Sequence, residues 1–436
     1  MPLIALLAIP FVAALAVWPV RQVRQIAASI SALACLLVAG LAPLAAGQEA
    51  LNLMGRSLAL STQSAFYVSV LSVALGLLMG GGWLAPESPL VWSSALATFG
   101  LLMVAACATS LQLAGAFMAL AVLGIACCLL APTSPELIMR TIIVLLSGTL
   151  LLLVAGWVSE AARGESPLSL TFLGQPAALF GLALVLGVLP FGVWAPPLSR
   201  ASRPTGAFLA VCALGLLASL RLNELSALSD LATWGLFLRW GGVATLLYGA
   251  VGALLPRELS AVTGYAALAD VGIAALAMSA ESAGALNLAT QHLAYRALAC
   301  ATLWVAARVL AYCFGTDDLR PLAGAFRRAP LTLTAVWIAG LSLAGLPPTV
   351  GYASRIAILG MADLRSPWTW VCVLSALGPA WGVTRIVVTS WGSTPPPGSR
   401  REPLWLSLLL LALALCLLAL GLFPELGIWF QGLFGA

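Results

Sequence analysis

The chain reads as a train of apolar stretches, each about 18 to 25 residues long, divided by short polar gaps. Fourteen stretches run at 2–18, 25–46, 62–84, 92–109, 112–131, 137–158, 177–195, 204–222, 232–254, 260–279, 284–313, 331–361, 367–391 and 403–423. A helix of this length crosses a hydrocarbon layer of about 30 Å. In hydrocarbon every backbone N–H and C=O must be bonded internally, and stretches this long achieve that as helices rather than as barrel strands. The widest polar gap, Asp317 to Pro330, holds 14 residues, too few for a soluble domain. Only Ser110 and Leu111 part the fourth stretch from the fifth. The pattern predicts an all-α, polytopic membrane protein with about fourteen transmembrane helices.

Two of the stretches are interrupted by proline. The seventh reads Gly187-Val188-Leu189-Pro190-Phe191-Gly192-Val193-Trp194, and the twelfth reads Ala344-Gly345-Leu346-Pro347-Pro348-Thr349-Val350-Gly351-Tyr352. Proline removes an N–H and clashes with the preceding turn, so Pro190 on one helix and Pro347, Pro348 and the nearby Gly351 on the other predict broken helices with freed carbonyls. Irregular backbone at membrane depth survives where it lines a cavity or is buried in protein. The interruptions lie five stretches apart, an odd number, so stretches 4–8 and 9–13 are expected to form two inverted five-helix repeats. The expected organisation is an N-terminal three-helix segment (1–91), a first repeat (92–222), a second repeat (232–391) and a C-terminal helix (392–436). Simple kinks are the plain alternative for both prolines.

Composition sharpens this picture. Hydrophobic residues make up 62% of the 436 and charged residues 8%, a balance that would leave a soluble domain covered in apolar patches. All 20 basic residues are arginine; there is no lysine, the usual lipid-buried base. The odd-numbered loops hold Arg21, Arg24, Arg140, Arg200, Arg203, Arg257, Arg320, Arg327, Arg328, Arg400 and Arg401, whereas the even-numbered loops hold Arg56, Arg163, Arg365 and, at a helix end, Arg221. The positive-inside rule then places the odd loops in the cytoplasm and both termini outside, in the cell's plasma (inner) membrane. Charge follows the first apolar stretch at Arg21 and Arg24 with no evident cleavage site, so residues 2–18 are expected to be a first span and not a removed signal. Trp18, Trp83 and Trp391 fall where an interfacial aromatic belt would sit. The nine cysteines lie in or beside apolar runs without a metal-type spacing and read as small packing residues. No phosphate loop, dinucleotide fingerprint, haem or zinc motif or nucleophile triad is present, and the loop arginines do not form a nucleic-acid patch. No cofactor, metal or catalytic residue is expected.

The interrupted segments also carry specific words. Leu341–Arg355, LSLAGLPPTVGYASR, resembles the LAGLPPTAGFxGK segment of the antiporter-like subunits of NADH–quinone oxidoreductase (complex I) and of multisubunit cation/proton antiporters. Leu189–Pro197, LPFGVWAPP, is similar to that family's PFHxWLPDA; Arg203–Ala210, RPTGAFLA, to APTPVxAFL; Arg257–Gly272, RELSAVTGYAALADVG, to xDLKRLLAYSSIxHxG; and His292–Leu298, HLAYRAL, to HxxxKAL. Order and spacing agree from about residue 90 to 390, and the AGxPP form with the phrase around Phe208 resembles the N-type subunit of complex I. The resemblance implies inverted repeats, two broken helices, an axis of buried ionisable residues, partnership with other membrane subunits, and proton relay without a redox cofactor of the chain's own.

Several positions depart from the family pattern. Residues 112–131 contain no acid where the family has a glutamate; its lysines fall on Val185, at about Leu214 and on Ser260; its histidine after Pro-Phe falls on Gly192. The first half-channel therefore lacks titratable groups. The second half keeps His292, the chain's only histidine, with Arg296 and Arg355 at lysine-type positions and Asp270 where the family often has histidine or glutamine. An ionisable group deep in a span costs roughly 2.5 to 3.5 kcal/mol and needs a partner or water. His292 and Arg296 stand four apart on one helical face, next to the helix carrying Asp270, so Asp270 is expected to pair with Arg296 with His292 beside them. This cluster reads either as a proton path centred on His292 or as a structural ion pair, because arginine holds its proton. Arg355 is expected either to polarise a water-filled path or to lock the broken helix ends. Arg239, Arg308 and Arg385 read as interface residues or partner contacts. The expected function is an antiporter-like membrane-arm subunit of a complex-I-type respiratory complex, translocating protons. The alternatives are a membrane subunit of a multisubunit Na⁺/H⁺ antiporter or inorganic-carbon uptake complex, a non-conducting spacer, and a transporter acting alone.

Overall fold

The computed structural model describes residues 2–53, 55–84, 88–130, 133–161, 171–201, 203–224, 235–280, 284–318, 322–361, 367–392 and 399–426. Arg163, Arg320 and Arg365, which entered the loop comparison, lie outside them. The helices are α1 Pro2–Val20, α2 Arg24–Ala45, α3 Thr62–Gly81, α4 Pro89–Cys107, α5 Leu111–Leu129, α6 Pro135–Ala161, α7 Thr171–Leu186, α8 Ala195–Ala201, α9 Pro204–Phe208, α10 Leu214–Glu224, α11 Gly235–Leu254, α12 Leu259–Met278, α13 Ala285–Phe314, α14 Pro330–Ala344, α15 Val350–Gly360, α16 Pro367–Ser375, α17 Leu377–Ser390 and α18 Leu404–Leu422. Among the described residues thirteen helical segments are long and apolar enough to cross a membrane, and the shorter pair α14 and α15 makes up the remaining stretch, interrupted as expected. The fourth and fifth stretches are separate helices: the Ser110 hydroxyl accepts the Leu113 N–H and caps α5. A small hairpin, β1 Leu51–Leu53 with β2 Arg56–Leu58, was not foreseen in an all-α reading. It is an extramembrane clip whose Leu58 bridges to Ala108 at the end of α4.

Outward faces are apolar and inward faces are packed, as lipid solvation demands. Leu15, Leu255 and Trp391 are 75%, 76% and 69% exposed, while α12 and α13 run through the middle of the bundle with most residues buried. Trp18 and Trp83 also stay exposed near helix ends, as a belt requires. Cys127 and Cys416 face outward, unlike the other seven cysteines, so the packing role read for all nine holds for seven. Helices α11 and α12 approach backbone to backbone: a methyl group on Gly272 would come within 2.5 Å of the Leu246 N, and one on Gly249 within 2.4 Å of the Ala269 N.

The two broken helices end in the same way. At the end of α7, Gly187 takes φ +75°, its N–H bonds to Leu184 O at 3.2 Å, and the Val188 N–H bonds to Ala183 O at 2.8 Å. At the end of α14, Gly345 takes φ +69°, its N–H bonds to Ser342 O at 3.1 Å, and the Leu346 N–H bonds to Leu341 O at 3.0 Å. This is the Schellman cap, which needs a left-handed residue and so favours glycine. A cis proline follows three residues later in each, Pro190 and Pro348. Beyond the first break the chain makes a short 3₁₀ turn, Phe191–Trp194, and continues as α8; beyond the second it resumes directly as α15.

The last helix braces the second break. Glu402, just before α18, accepts the N–H groups of Leu331 and Thr332 at 3.0 and 2.9 Å and so caps the start of α14. Near its far end α18 touches the break itself, where a methyl group on Gly421 would lie 2.2 Å from the Thr349 carbonyl carbon.

Gly345→Ala tests the second cap. Its added methyl would sit 2.2 Å from Cδ of Arg355 in a left-handed backbone, so a loss of at least about 1 kcal/mol is expected. Gly40→Ala, in α2 with nothing within 4 Å of the added carbon, is expected to be neutral or slightly stabilising. Thermal unfolding of both variants in the same mild detergent checks this pair.

Candidate functional site: a buried charge cluster across the second break

Asp270, His292, Arg296 and Arg355 are all at most 4% exposed. Asp270 is placed by α12, His292 and Arg296 by α13, and Arg355 by α15, so three helices and the α14–α15 break contribute to one volume. Arg355 is the centre of the arrangement. One of its Nη groups donates to Asp270 Oδ1 at 2.7 Å and to the Leu343 carbonyl at 2.9 Å. Leu343 O is one of the last carbonyls of α14, at the partially negative end of that half-helix, which attracts a cation. The absence of a side chain at Gly345 is what lets the arginine pass. Its guanidinium therefore fastens the α14 end to α12, the locking role foreseen as one of two for Arg355.

His292 stands on the other side of the same carboxylate. Its Nε2 is 3.5 Å from Asp270 Oδ1, too long for a strong hydrogen bond but close for an ion pair. Its Nδ1 is 2.8 Å from the Ser354 hydroxyl, which in turn lies 3.1 Å from the Gly351 carbonyl on the first turn of α15. Ser354 is thus part of the site although nothing in its sequence context marked it. Its one signal was its place beside Arg355.

The expected pairing of Asp270 with Arg296 is corrected. Arg296 donates instead to the carbonyls of Ala267 at 3.1 Å and Val211 at 2.8 Å. Val211 belongs to a π turn, Leu209–Ala213, between α9 and α10. Such a turn displaces the regular hydrogen-bond ladder and leaves carbonyl capacity to be met by a side chain. Arg296 meets it, and Asp270 takes its cation from across the break. The expectation that His292 lies beside Asp270 holds.

The same chemistry recurs. Arg221, 3% exposed, donates to Ala108 O at 2.8 Å and to the Ser64 hydroxyl. Arg308, 5% exposed, donates to Leu78 O at 2.9 Å. Arg308 is therefore an internal clamp between α13 and α3, not the interface residue that its place late in the span suggested, and Arg221, in the last turn of α10, is buried. Arg385 reaches the Pro256 carbonyl at the end of α11. Guanidinium suits this task because it presents several fixed donors and stays charged.

Among the described residues the first break has no such cluster. Val185 and Leu214, at the positions where a family lysine was sought, are buried apolar side chains. A Cβ on Gly192 would stand 1.8 Å from Gly187 O, so that position has no room for a side chain. Residues Ala114, Met118, Ala121, Val122 and Ile125 fill the inner face of α5. Ser260 lies at the start of α12, where its N–H bonds to Asp317. Among the described residues no group of three or more histidine, cysteine or acidic side chains is arranged to hold a metal ion.

Comparison with known proteins agrees with this architecture. Residues 141–378 match the family described as "NADH:quinone oxidoreductase/Mrp antiporter, TM". NADH-quinone oxidoreductase subunit N of Ectopseudomonas mendocina is 28% identical over 61% of this chain and 56% of its own length. A Na(+)/H(+) antiporter subunit of Bacillus subtilis is 27% identical over 49% of this chain and 45% of its own length. The chain thus aligns with about half the length of these relatives. A chain in the structure of respiratory complex I from Thermus thermophilus with bound NADH superposes with a TM-score of 0.85 at 20% identity, covering 100% of this chain and 98% of that one. A chain of the Mrp complex from Dietzia sp. DQ12-45-1b superposes at 0.78 with 16% identity, covering 99% and 95%. The two structural likenesses establish the fold, and the match over more than half of the sequence establishes the lineage: this multi-pass membrane protein belongs to the NADH:quinone oxidoreductase/Mrp antiporter membrane family.

Proposed function

We propose that the chain works as the antiporter-like subunit of a larger membrane complex of the complex I or Mrp type, and that it moves protons through its second half only. The observation that carries this reading is His292, a buried imidazole held between the Ser354 hydroxyl at 2.8 Å and the Asp270 carboxylate at 3.5 Å. With the Ser354 hydroxyl donating to Gly351 O, it accepts from Nδ1–H, and the Nε2 lone pair faces the carboxylate. Nε2 is then the atom that takes up and gives back a proton, with Asp270 facing it and Arg355 on the far side of the same carboxylate. One proton enters and one leaves per cycle, and the arginines supply field without releasing a proton. The apolar packing at Val185, Leu214 and Gly192 supports a closed first half.

Two further features fit this reading. The matching glycine caps of the two breaks, 158 residues apart, support inverted repeats at about 92–222 and 232–391. The arginine-rich odd loops support cytoplasmic placement of that face, with both termini outside in the plasma membrane. The partners are other membrane subunits of a redox-driven complex of the NADH–quinone type or of a cation/proton antiporter.

A second reading, a non-conducting spacer, is favoured by the double contact of Arg355 with Asp270 and Leu343 O, which is what a structural lock would show. The readings separate in the whole complex reconstituted into vesicles. On the first, His292→Gln lowers proton uptake several-fold while leaving the subunit assembled; on the second, uptake is unchanged.

The charge cluster gives a stability prediction under either reading. Asp270→Asn or Arg355→Met alone leaves an uncompensated buried charge and is expected to cost about 3 to 5 kcal/mol, whereas the double variant costs clearly less than the sum. Thermal unfolding of the four proteins measures the coupling, and additive losses would refute the pairing. Purification of the native protein in mild detergent, with mass spectrometry of what accompanies it, is expected to recover either iron–sulfur and quinone-site subunits or small antiporter subunits.

A further inference from the structure

Arginines from two separate odd loops are gathered at one spot on that face. Between α13 and α14 the chain passes Arg327 and Arg328, and ahead of α18 it passes Arg400 and Arg401. Backbone bonds fasten these segments: the Glu402 N–H donates to Arg328 O at 3.2 Å, and the Arg400 N–H donates to Cys313 O at 2.9 Å. Arg327, Arg400 and Arg401 are exposed, and Arg328 is half-buried. Glu402 is the acid that follows them. Its carboxylate is taken up by the Leu331 and Thr332 N–H groups at 3.0 and 2.9 Å and by the Thr332 hydroxyl at 2.6 Å. Among the described residues no carboxylate pairs with any of the four guanidinium groups.

Aromatic and apolar groups adjoin this patch. The Arg400 guanidinium lies 5.3 Å from the centre of the Tyr312 ring. Trp391 packs edge-on against Phe326 with ring centres 5.7 Å apart, and Trp405 packs likewise against Trp83 at 5.7 Å. Amphipathic rings of this kind sit at the headgroup level of a membrane. From there the outward face of α18 descends as hydrocarbon: Leu404, Trp405, Leu408, Leu409 and Leu415 are 44% to 65% exposed. Unneutralised guanidinium groups at the head of an apolar helix face match a molecule that is anionic at one end and hydrocarbon at the other. Phosphate oxygens fit the guanidinium fork, and basic clusters beside a span attract anionic headgroups. A purely ionic partner would answer the arginines but make no use of the aromatic rim and the leucine face directly beneath.

We propose that this patch binds an anionic phospholipid, its phosphate held by the arginines of the two loops and its acyl chains laid along α18. The lipid would tie together the same two segments that Glu402 joins when it caps α14. Because α18 also touches the second break at Gly421, the lipid steadies the half-helix that presents Leu343 O to Arg355. The site does not depend on His292 moving protons, and it holds for a conducting subunit and for a spacer alike.

Photolabelling of the intact complex in lipid nanodiscs tests the site. The probes are phosphatidylglycerol and phosphatidylcholine carrying the same diazirine-bearing acyl chain, with labelled peptides identified by mass spectrometry. Labelling of Leu404–Leu409, normalised to the outward face of α6 around Ile143, which is 57% exposed, is expected to be several-fold greater from the anionic probe. Arg327→Gln with Arg401→Gln is expected to abolish that excess, whereas Arg21→Gln with Arg24→Gln, at another odd loop, leaves it in place. Equal labelling by the two probes in the unaltered complex would overturn the site, and this comparison decides even where the double variant fails to assemble. An excess that survives Arg327→Gln with Arg401→Gln, or is lost equally with Arg21→Gln and Arg24→Gln, would also overturn it and leave only the general charge of that face. Displacement of the anionic probe by inorganic phosphate alone would replace the lipid by the free anion. Absence of label from both probes would show that another subunit covers the patch, and the proposal would fall.

Discussion

A carbonyl set free inside hydrocarbon has no water to turn to, and this protein answers that constraint with arginine. Breaking α14 ahead of α15 releases carbonyls at membrane depth, and Arg355 satisfies Leu343 O while it neutralises Asp270. The π turn at Leu209–Ala213 is met by Arg296, the end of α4 by Arg221, and α3 near its end by Arg308. In each case a long cation reaches from one helix to the backbone of another, so the electrostatic need of one segment becomes a tie between two. With no lysine in the chain, every such tie is made by a guanidinium, whose fixed planar donors suit backbone carbonyls.

The two halves treat their breaks differently for the same reason. The second break keeps its carbonyls beside a cation, a carboxylate and an imidazole, and so remains a polar volume. At the first, apolar side chains surround the break, and the chain folds back on itself so closely that Gly192 has no room for a side chain. The Leu189 N–H remains polar there and donates to the Thr245 hydroxyl at 2.7 Å. A break whose groups are capped internally costs little in apolar surroundings, whereas a charged one needs its cation and carboxylate side by side. This contrast is the physical basis for proposing that proton movement belongs to the second half.

Much of the fold was legible because membrane insertion is decided locally. Each apolar stretch carries its own transfer free energy, so helix positions could be read to within a few residues, and even the narrow join at Ser110 resolved into a cap. Proline and glycine marked both breaks because their backbone preferences belong to the residue itself. Arg308 was misplaced because a position late in a span is compatible with either the lipid interface or the interior, and only helix rotation separates them. The hairpin at Leu51–Leu58 escaped notice because a three-residue strand between two spans has too little periodicity to register.

By itself the sequence determined that the chain crosses a membrane many times, that two crossings are interrupted, which ionisable residues remain near the axis, and which family the ordered motifs belong to. All of these depend on the composition of short segments. Tertiary structure alone decided which cation faces Asp270. Arg355 is 85 positions away in the chain and arrives only because the second break folds back beside α12, while Arg296, one helical turn from His292, is drawn off by a π turn that no local pattern announced. Charge pairing depends on how helices cross and rotate, and those relations exist only once the bundle has packed.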